Sequence, residues 1–250
     1  MRLLILLTII LTQQLGCAET LTIGTPPFSP PFVMSVDNKG HYIGFSVDIM
    51  SSICKRMGVT CQFKLLGFEE TFTQVIDNKV DLAIGNITIT PEREEYVLFS
   101  LPYLQSNLEF ITLANSTINS LNELKGKSVG AEHDSVFIPY IEKNYGRDVR
   151  VQSYRSISEM IFALSEGDVD AAILDQQTAQ FWQSNNNGMF KFIGEPVPLG
   201  LGIGIIANKN NEALIARVNK ALTAMQTDGG YLKIYNTYFG DMRQVGSSLF

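Results

Sequence analysis

Gly85-Asn86-Ile87-Thr88-Ile89-Thr90-Pro91-Glu92-Arg93 is the stretch on which the reading of this chain turns. Before it runs Val80-Asp81-Leu82-Ala83-Ile84, a mainly apolar segment of strand length that stops at Gly85. From there Asn86, Thr88 and Thr90 alternate with Ile87 and Ile89, which puts amide and hydroxyl groups on one side of an extended segment. Pro91 suits the first position of a helix, with Thr90 as its cap. Arg93 then falls in the first turn, where a cation opposes the positive end of the helix dipole and calls for an anion nearby. Two readings of it are open. A ligand carboxylate could be held in a two-pronged bond, or Arg93 could pair with Glu92, Glu94 or Glu95 on a solvated face.

Working outward, 250 residues with 45% hydrophobic and 18% charged residues fit one large or two small cores. Residues 1–18 read as a secretory signal peptide: a basic start at Arg2, an apolar run from Leu3 to Leu11 broken only by Thr8, then Gly16, Cys17 and Ala18. Cleavage after Ala18 fits the small-x-small rule. The alternative is a lipoprotein site at Cys17, against which stands Gln14 where an aliphatic residue is wanted. No later segment is apolar and long enough for a membrane span, so the mature chain is expected in the periplasm, as a monomer. Removing the leader takes away one base and no acid, moving the formal charge from −6 to −7. With no basic patch, nucleic acid is not an expected partner.

The mature chain keeps Cys54 and Cys61, seven apart. In an exported protein such a pair reads as a disulfide pinning a helix end to the next strand across Gly58, with two buried thiols as the other reading. His41 and His133 lack ligand spacing to these cysteines, so neither a metal nor a cofactor is expected.

Along the chain, Leu21–Gly24 is a strand, and Thr25–Phe32 is a loop stiffened by four prolines that presents Phe28 and Phe32. Residues 32–43 read as a hairpin turning at Asp37-Asn38-Lys39-Gly40. Helices are expected over 45–57 and 70–78, with a strand at 61–65 between them. The plan then repeats: a strand at Ser128-Val129-Gly130, a helix over 136–145 capped by Ser135, a strand at 149–151 and a helix over 157–165. Val169-Asp170-Ala171-Ala172-Ile173-Leu174-Asp175 mirrors Val80 to Gly85, and each follows a helix and a turn. Ligands of open α/β sheets bind at such strand ends. Gly200–Ile206 is an apolar strand with alternating glycines, and two helices, 211–227 and 231–239, close the chain. Two α/β lobes follow, 19–106 with 200–250 and 107–199. They share a cleft and are joined by crossings near Leu104–Asn107 and Pro198–Gly202 that would act as a hinge.

Across essentially the whole mature chain the sequence resembles the solute-binding proteins of bacterial ABC importers, within the polar amino-acid family. The resemblance rests on Pro30-Pro31-Phe32, Gly44-Phe45-Ser46-Val47-Asp48, Thr88-Ile89-Thr90-Pro91-Glu92-Arg93, Leu124-Lys125-Gly126-Lys127, Val169-Asp170-Ala171-Ala172 and the close Asp228-Gly229-Gly230-Tyr231…Ile234-Tyr235…Phe239. It implies the two-lobed α/β fold of type II periplasmic binding proteins, each lobe a mixed, mostly parallel sheet flanked by helices, closing on a free amino acid and delivering it to a membrane permease. It also implies roles. Arg93 falls on the carboxylate-binding arginine, Thr88 on a residue meeting carboxylate and ammonium, and Asp175 on the ammonium-binding carboxylate. Gly85 and Asn86 fall on the same edge, Ser135 and Val136 on a helix amino terminus offering N–H groups to the carboxylate, and Phe68 on an aromatic packing on the ligand side chain. The Cys54–Cys61 pair is similar to the disulfide of the lysine/arginine/ornithine and arginine binders.

Departures bear on specificity. Pro26 stands where many basic amino-acid binders carry an acid, and Ser29 where an aromatic is usual, with Phe28 one residue earlier as a substitute. Asp134-Ser135 replaces a usual Gly-Thr. Glu69, Glu70, Glu132 and Asp134 are acids that could face a cationic side chain, and Phe28 and Phe68 could sandwich a guanidinium. The expectation is arginine or another cationic amino acid, with glutamine, glutamate and cystine as rivals. Dehydratases exist on this fold, but no nucleophile stands at a recognisable spacing from a histidine or carboxylate, so an enzyme is not expected. Nor is a receptor ectodomain, since the chain reaches Phe250 with no transmembrane helix or signalling domain.

Overall fold

The computed structural model describes residues 19–37 and 41–240. The leader with Cys17, most of the turn expected at 37–40 and residues 241–250 lie outside the described residues. The chain starts with β1 (Thr20–Thr25) and a small antiparallel sheet, β2 (Phe28–Ser29), β3 (Val33–Ser35) and β4 (Tyr42–Ile43). The helix α1 (Phe45–Met57) buries Val47, Ile49, Met50 and Ile53, as its apolar spacing requires. A Cys54–Cys61 disulfide, Cα atoms 6.1 Å apart, ties it to β5 (Thr60–Leu65). Next come α2 (Phe68–Ile76), β6 (Leu82–Thr88), α3 (Pro91–Glu94) and β7 (Val97–Phe99).

The second lobe holds β8 (Asn107–Leu113), β9 (Ser128–Glu132), α4 (Phe137–Tyr145), β10 (Arg150–Tyr154), α5 (Ile157–Glu166), β11 (Ala171–Asp175), α6 (Gln176–Asn185) and β12 (Phe190–Pro198). The chain then returns with β13 (Ile203–Asn208), α7 (Glu212–Thr227) and α8 (Gly230–Phe239). Tyr231 and Tyr235 of α8 pack round Phe45, and the Tyr231 hydroxyl donates to the Tyr103 carbonyl at 2.6 Å, so the last segment completes the first lobe.

The first sheet runs β5-β1-β6-β13-β7 and the second β10-β9-β11-β8-β12. Both are covered by helices on both faces, with separate apolar clusters on each side. The sheets are mixed, as expected, but with two parallel and two antiparallel pairings in each the parallel ones are half and not most of them. The cause is the double crossing. β-α-β units give the parallel pairs, whereas β13 and β8 each arrive from the other lobe and run against both neighbours. The crossings lie side by side: Ile203 N donates to Leu104 O at 2.8 Å and Leu199 N to Ser106 O at 2.9 Å. Gly202, at φ +114°, permits this approach, since a Cβ there would stand 2.7 Å from Pro102 Cβ.

Candidate ligand-binding site

The strand ends β6 and β11 face each other across the cleft. At β6 the pairing with β13 slips, so that Ile84, Gly85 and Asn86 stand opposite the single residue Ile205. Gly85 sits at φ +143°, and a Cβ on it would lie 2.4 Å from Pro26 Cδ, so only glycine fits. Asn86 follows at φ +67°. This bulge swings the Asn86 amide over the cleft, where Nδ2 donates to Asp175 Oδ2 of the other lobe. The Asn86 Oδ1 atom is buried and has no hydrogen-bond partner among the described residues.

Thr90 caps α3 as expected: its hydroxyl accepts from Arg93 N at 3.3 Å, and Pro91 holds the first turn. The Arg93 side chain folds back over the strand end. Nη1 donates to Thr88 O at 3.0 Å, and Nη2 reaches Asp134 O of the other lobe at 3.5 Å. Its guanidinium carbon lies 5.3 Å from the Phe68 ring centre and 5.0 Å from that of Phe72. It forms no salt bridge with Glu92, Glu94 or Glu95. Burial lowers its pKa to about 10, with Asp175 and then Glu92 opposing the shift. Thr88 Oγ1 lies 3.1 Å from Ser106 Oγ on the crossing.

Asp175 ends β11 and opens α6, but its side chain makes no capping bond. The carboxylate is instead spent on the cleft. Burial raises its pKa to about 7, against the Asn86 bond and the Arg93 charge, which favour the ionised form. At the end of the neighbouring strand β9, Glu132 is also pushed up to about 7, by burial first and by Asp175 second. The turn after it is fixed by Ser135, whose hydroxyl donates to Glu132 O at 2.6 Å and accepts from Phe137 N at 3.3 Å. Val136 stands at the amino terminus of α4.

These groups surround one cavity of about 20 Å³, room for a water or two. Nine of the ten candidate residues line it: Ser29, Phe68, Gly85, Asn86, Thr88, Arg93, Ser135, Val136 and Asp175. Phe28 does not. It is 43% exposed and meets Trp182 of α6 edge-on, ring centres 6.4 Å apart, so it touches the other lobe and not the cavity. Of the four acids, Glu132 alone lines the cavity; Glu69, Glu70 and Asp134 are exposed. Phe137 and Ile157 in the lining and Phe72 behind Arg93 were not among the expected residues. Phe72 had a signal, since it lies one helical turn beyond Phe68. Glu69, His133 and Asp134 bring ligand atoms within 4.8 Å of one another, but all three are exposed, and no further feature makes them a metal centre. Among the described residues no helix is long and apolar enough to cross a membrane.

The sequence profile of the bacterial extracellular solute-binding proteins, family 3, matches residues 21–241. The arginine-binding periplasmic protein of Mannheimia haemolytica is 31% identical over 239 residues, covering 92% of this chain and 98% of its own. The lysine/arginine/ornithine-binding periplasmic protein of Escherichia coli (strain K12) is 31% identical over 229 residues, covering 88% of each. An arginine 3rd transport system periplasmic binding protein from Legionella pneumophila superposes with a TM-score of 0.86 at 35% identity, over 89% of this chain and 100% of that one.

Proposed function

The chain belongs to the bacterial extracellular solute-binding proteins of family 3, and from that premise we propose that it binds a free amino acid between its lobes, arginine or another cationic amino acid by preference, and hands it to the permease of an ABC importer. It is a binding protein and not an enzyme. The observation that carries the proposal is that opposite charges from the two lobes, Arg93 and Asp175, converge on one narrow cavity. An α-carboxylate would be taken by Arg93, Thr88 and the amino terminus of α4. An α-ammonium would be taken by Asp175 and the unpartnered Asn86 Oδ1. The arginine-binding and lysine/arginine/ornithine-binding relatives support the cationic preference.

A cavity of about 20 Å³ is smaller than an amino acid. The ligand therefore enters with the lobes apart, docks on the Arg93 side and draws Asp175 onto its ammonium. The moving bodies are 19–106 with 200–250 and 107–199, turning at the paired crossings. The closed form alone contacts both ends of the ligand, so binding shifts the equilibrium towards it. A micromolar dissociation constant needs about −8 kcal/mol, within reach of two charge-assisted anchors in a desolvated cleft. The disulfide suits an oxidising compartment, and the proposed setting is the periplasm, with a monomeric protein.

The test is a thermal-shift screen of refolded mature protein, stripped of any carried ligand, against the twenty amino acids, ornithine, citrulline and cystine. A ligand at a hundredfold excess over its dissociation constant adds about 2.7 kcal/mol. A shift with arginine, or with arginine, lysine and ornithine, is expected. A shift with a neutral or acidic amino acid alone would keep the clamp and overturn the cationic reading. No shift in folded protein would overturn the amino-acid reading.

A further inference from the structure

Three charged side chains line the cavity: Arg93 from the first lobe, Asp175 and Glu132 from the second. A zwitterionic backbone answers two of them. Its carboxylate meets Arg93 and its ammonium meets Asp175. Glu132 is left over. Its carboxylate takes no hydrogen bond and no salt bridge from any described residue, although its backbone is held by Ser135. β9 and β11 are parallel neighbours, so Glu132 and Asp175 end adjacent strands at the same sheet edge. Two carboxylates so placed repel one another, and closure of the cleft over an unanswered one is costly. The opposite wall offers no relief there, since Pro26 and Ser29 carry no charge. Other acids near the mouth are engaged or remote: Asp134 sits 3.2 Å from His133 Nε2, and Glu69 and Glu70 are exposed.

We propose that Glu132 is the residue that selects the charge of the ligand side chain, its carboxylate pairing with a cationic terminus and so favouring arginine, lysine and ornithine over neutral amino acids of similar size. The inference rests on the amino-acid reading of the cleft and names the specificity device within it. Because Glu132 belongs to the second lobe, the choice is made on closure and not on docking. Cationic and neutral ligands therefore differ in how fast they leave more than in how fast they arrive.

The experiment is calorimetry on the refolded mature protein with arginine and citrulline, which share a shape and differ in side-chain charge. The wild type is expected to prefer arginine. Glu132→Gln should weaken arginine by about thirtyfold or more, in line with the loss of one member of a buried charge pair, and leave citrulline unchanged or tighter. Glu132→Asp keeps the charge and should keep the preference. An unchanged arginine-to-citrulline ratio in a folded Glu132→Gln protein would overturn the proposal. So would equal losses on both ligands, which would make Glu132 a support for the site and not a reader of charge. If the wild type binds neither ligand, nor any amino acid in the thermal screen, the amino-acid reading itself fails, and the selector role fails with it.

Discussion

The two strand ends that meet at the proposed site begin alike and finish differently. Val80-Asp81 and Val169-Asp170 lead into β6 and β11, and in each the aspartate does the same work. Asp81 accepts from Thr22 N at 2.7 Å, and Asp170 accepts from Ser128 N at 2.8 Å, tying the strand to the lobe's first parallel neighbour. The sheet orders match position for position, with an incoming antiparallel strand, β13 or β8, fourth in each. Past the strand the lobes diverge. β6 bulges at Gly85-Asn86 and runs on to a short helix carrying a cation, Arg93. β11 stops at an anion, Asp175, at the mouth of a long helix. The same scaffold built twice thus offers opposite charges to one cleft, as a clamp for a zwitterion requires.

The sharpest way to break that contrast is Arg93→Ala. Truncating one member of a buried, hydrogen-bonded charge pair costs about 2–5 kcal/mol, so arginine binding by calorimetry should fall beyond detection at micromolar levels while circular dichroism stays native. Tight binding by that variant would refute the carboxylate anchor. Asp175→Asn removes the other pole and should weaken binding by about 1.5–3 kcal/mol, less because the ligand still docks on the first lobe.

Asp175 also gives the contrast a pH signature. Its carboxyl is raised from 3.8 to about 7 in the closed cleft, so the folded protein holds a proton that the unfolded chain has released. That contribution to stability is present below about pH 4 and is lost as pH rises to about 7. Ligand binding runs the other way, since the ammonium wants the ionised form. Affinity for arginine should therefore rise between pH 6 and pH 8, through Asp175 and also through Glu132, which burial raises to the same range, and Asp175→Asn should reduce the rise and leave the share that belongs to Glu132. An affinity that falls over that range would contradict this account.

Features outside the poles should change stability and not binding. Replacing Cys54 and Cys61 by serine reopens a short loop worth about 2–3 kcal/mol, expected as a drop in Tm of about 5–10 °C with arginine affinity intact. Asp81→Asn and Asp170→Asn should each cost about 1 kcal/mol, similar in the two lobes and silent in calorimetry. A loss of affinity in only one of them would show that the shared beginnings are not equivalent.

Local pattern carried much of this. The alternation after Gly85 predicted the strand, Thr90-Pro91 predicted the cap, and the repeated Val-Asp segments marked the two strands whose ends meet at the cavity. What local pattern missed were pairings made at long range. β8 lies inside its sheet, between β11 and β12, and is buried on both faces, so its apolar residues have no period to read. β12 contains Gly194, Pro196 and Pro198 and reads as a breaker. It survives as an edge strand that bonds on one side only, with its register shifted between Ile193 and Val197. Phe28 was expected at the ligand as the substitute for the usual aromatic before Pro-Pro-Phe, and its edge-on contact with Trp182 is another long-range pairing that no local pattern shows.

The central claim is that one ligand is held by its two ends, one to each lobe. A crystal structure of the refolded protein with arginine tests it directly. The α-carboxylate is expected on the Arg93 guanidinium and the amino terminus of α4, and the α-ammonium between Asp175 and Asn86 Oδ1, with the direct Asn86–Asp175 contact opened to admit it. A ligand bound away from both poles, or one that leaves Asp175 and Asn86 joined and touches only one lobe, would contradict it.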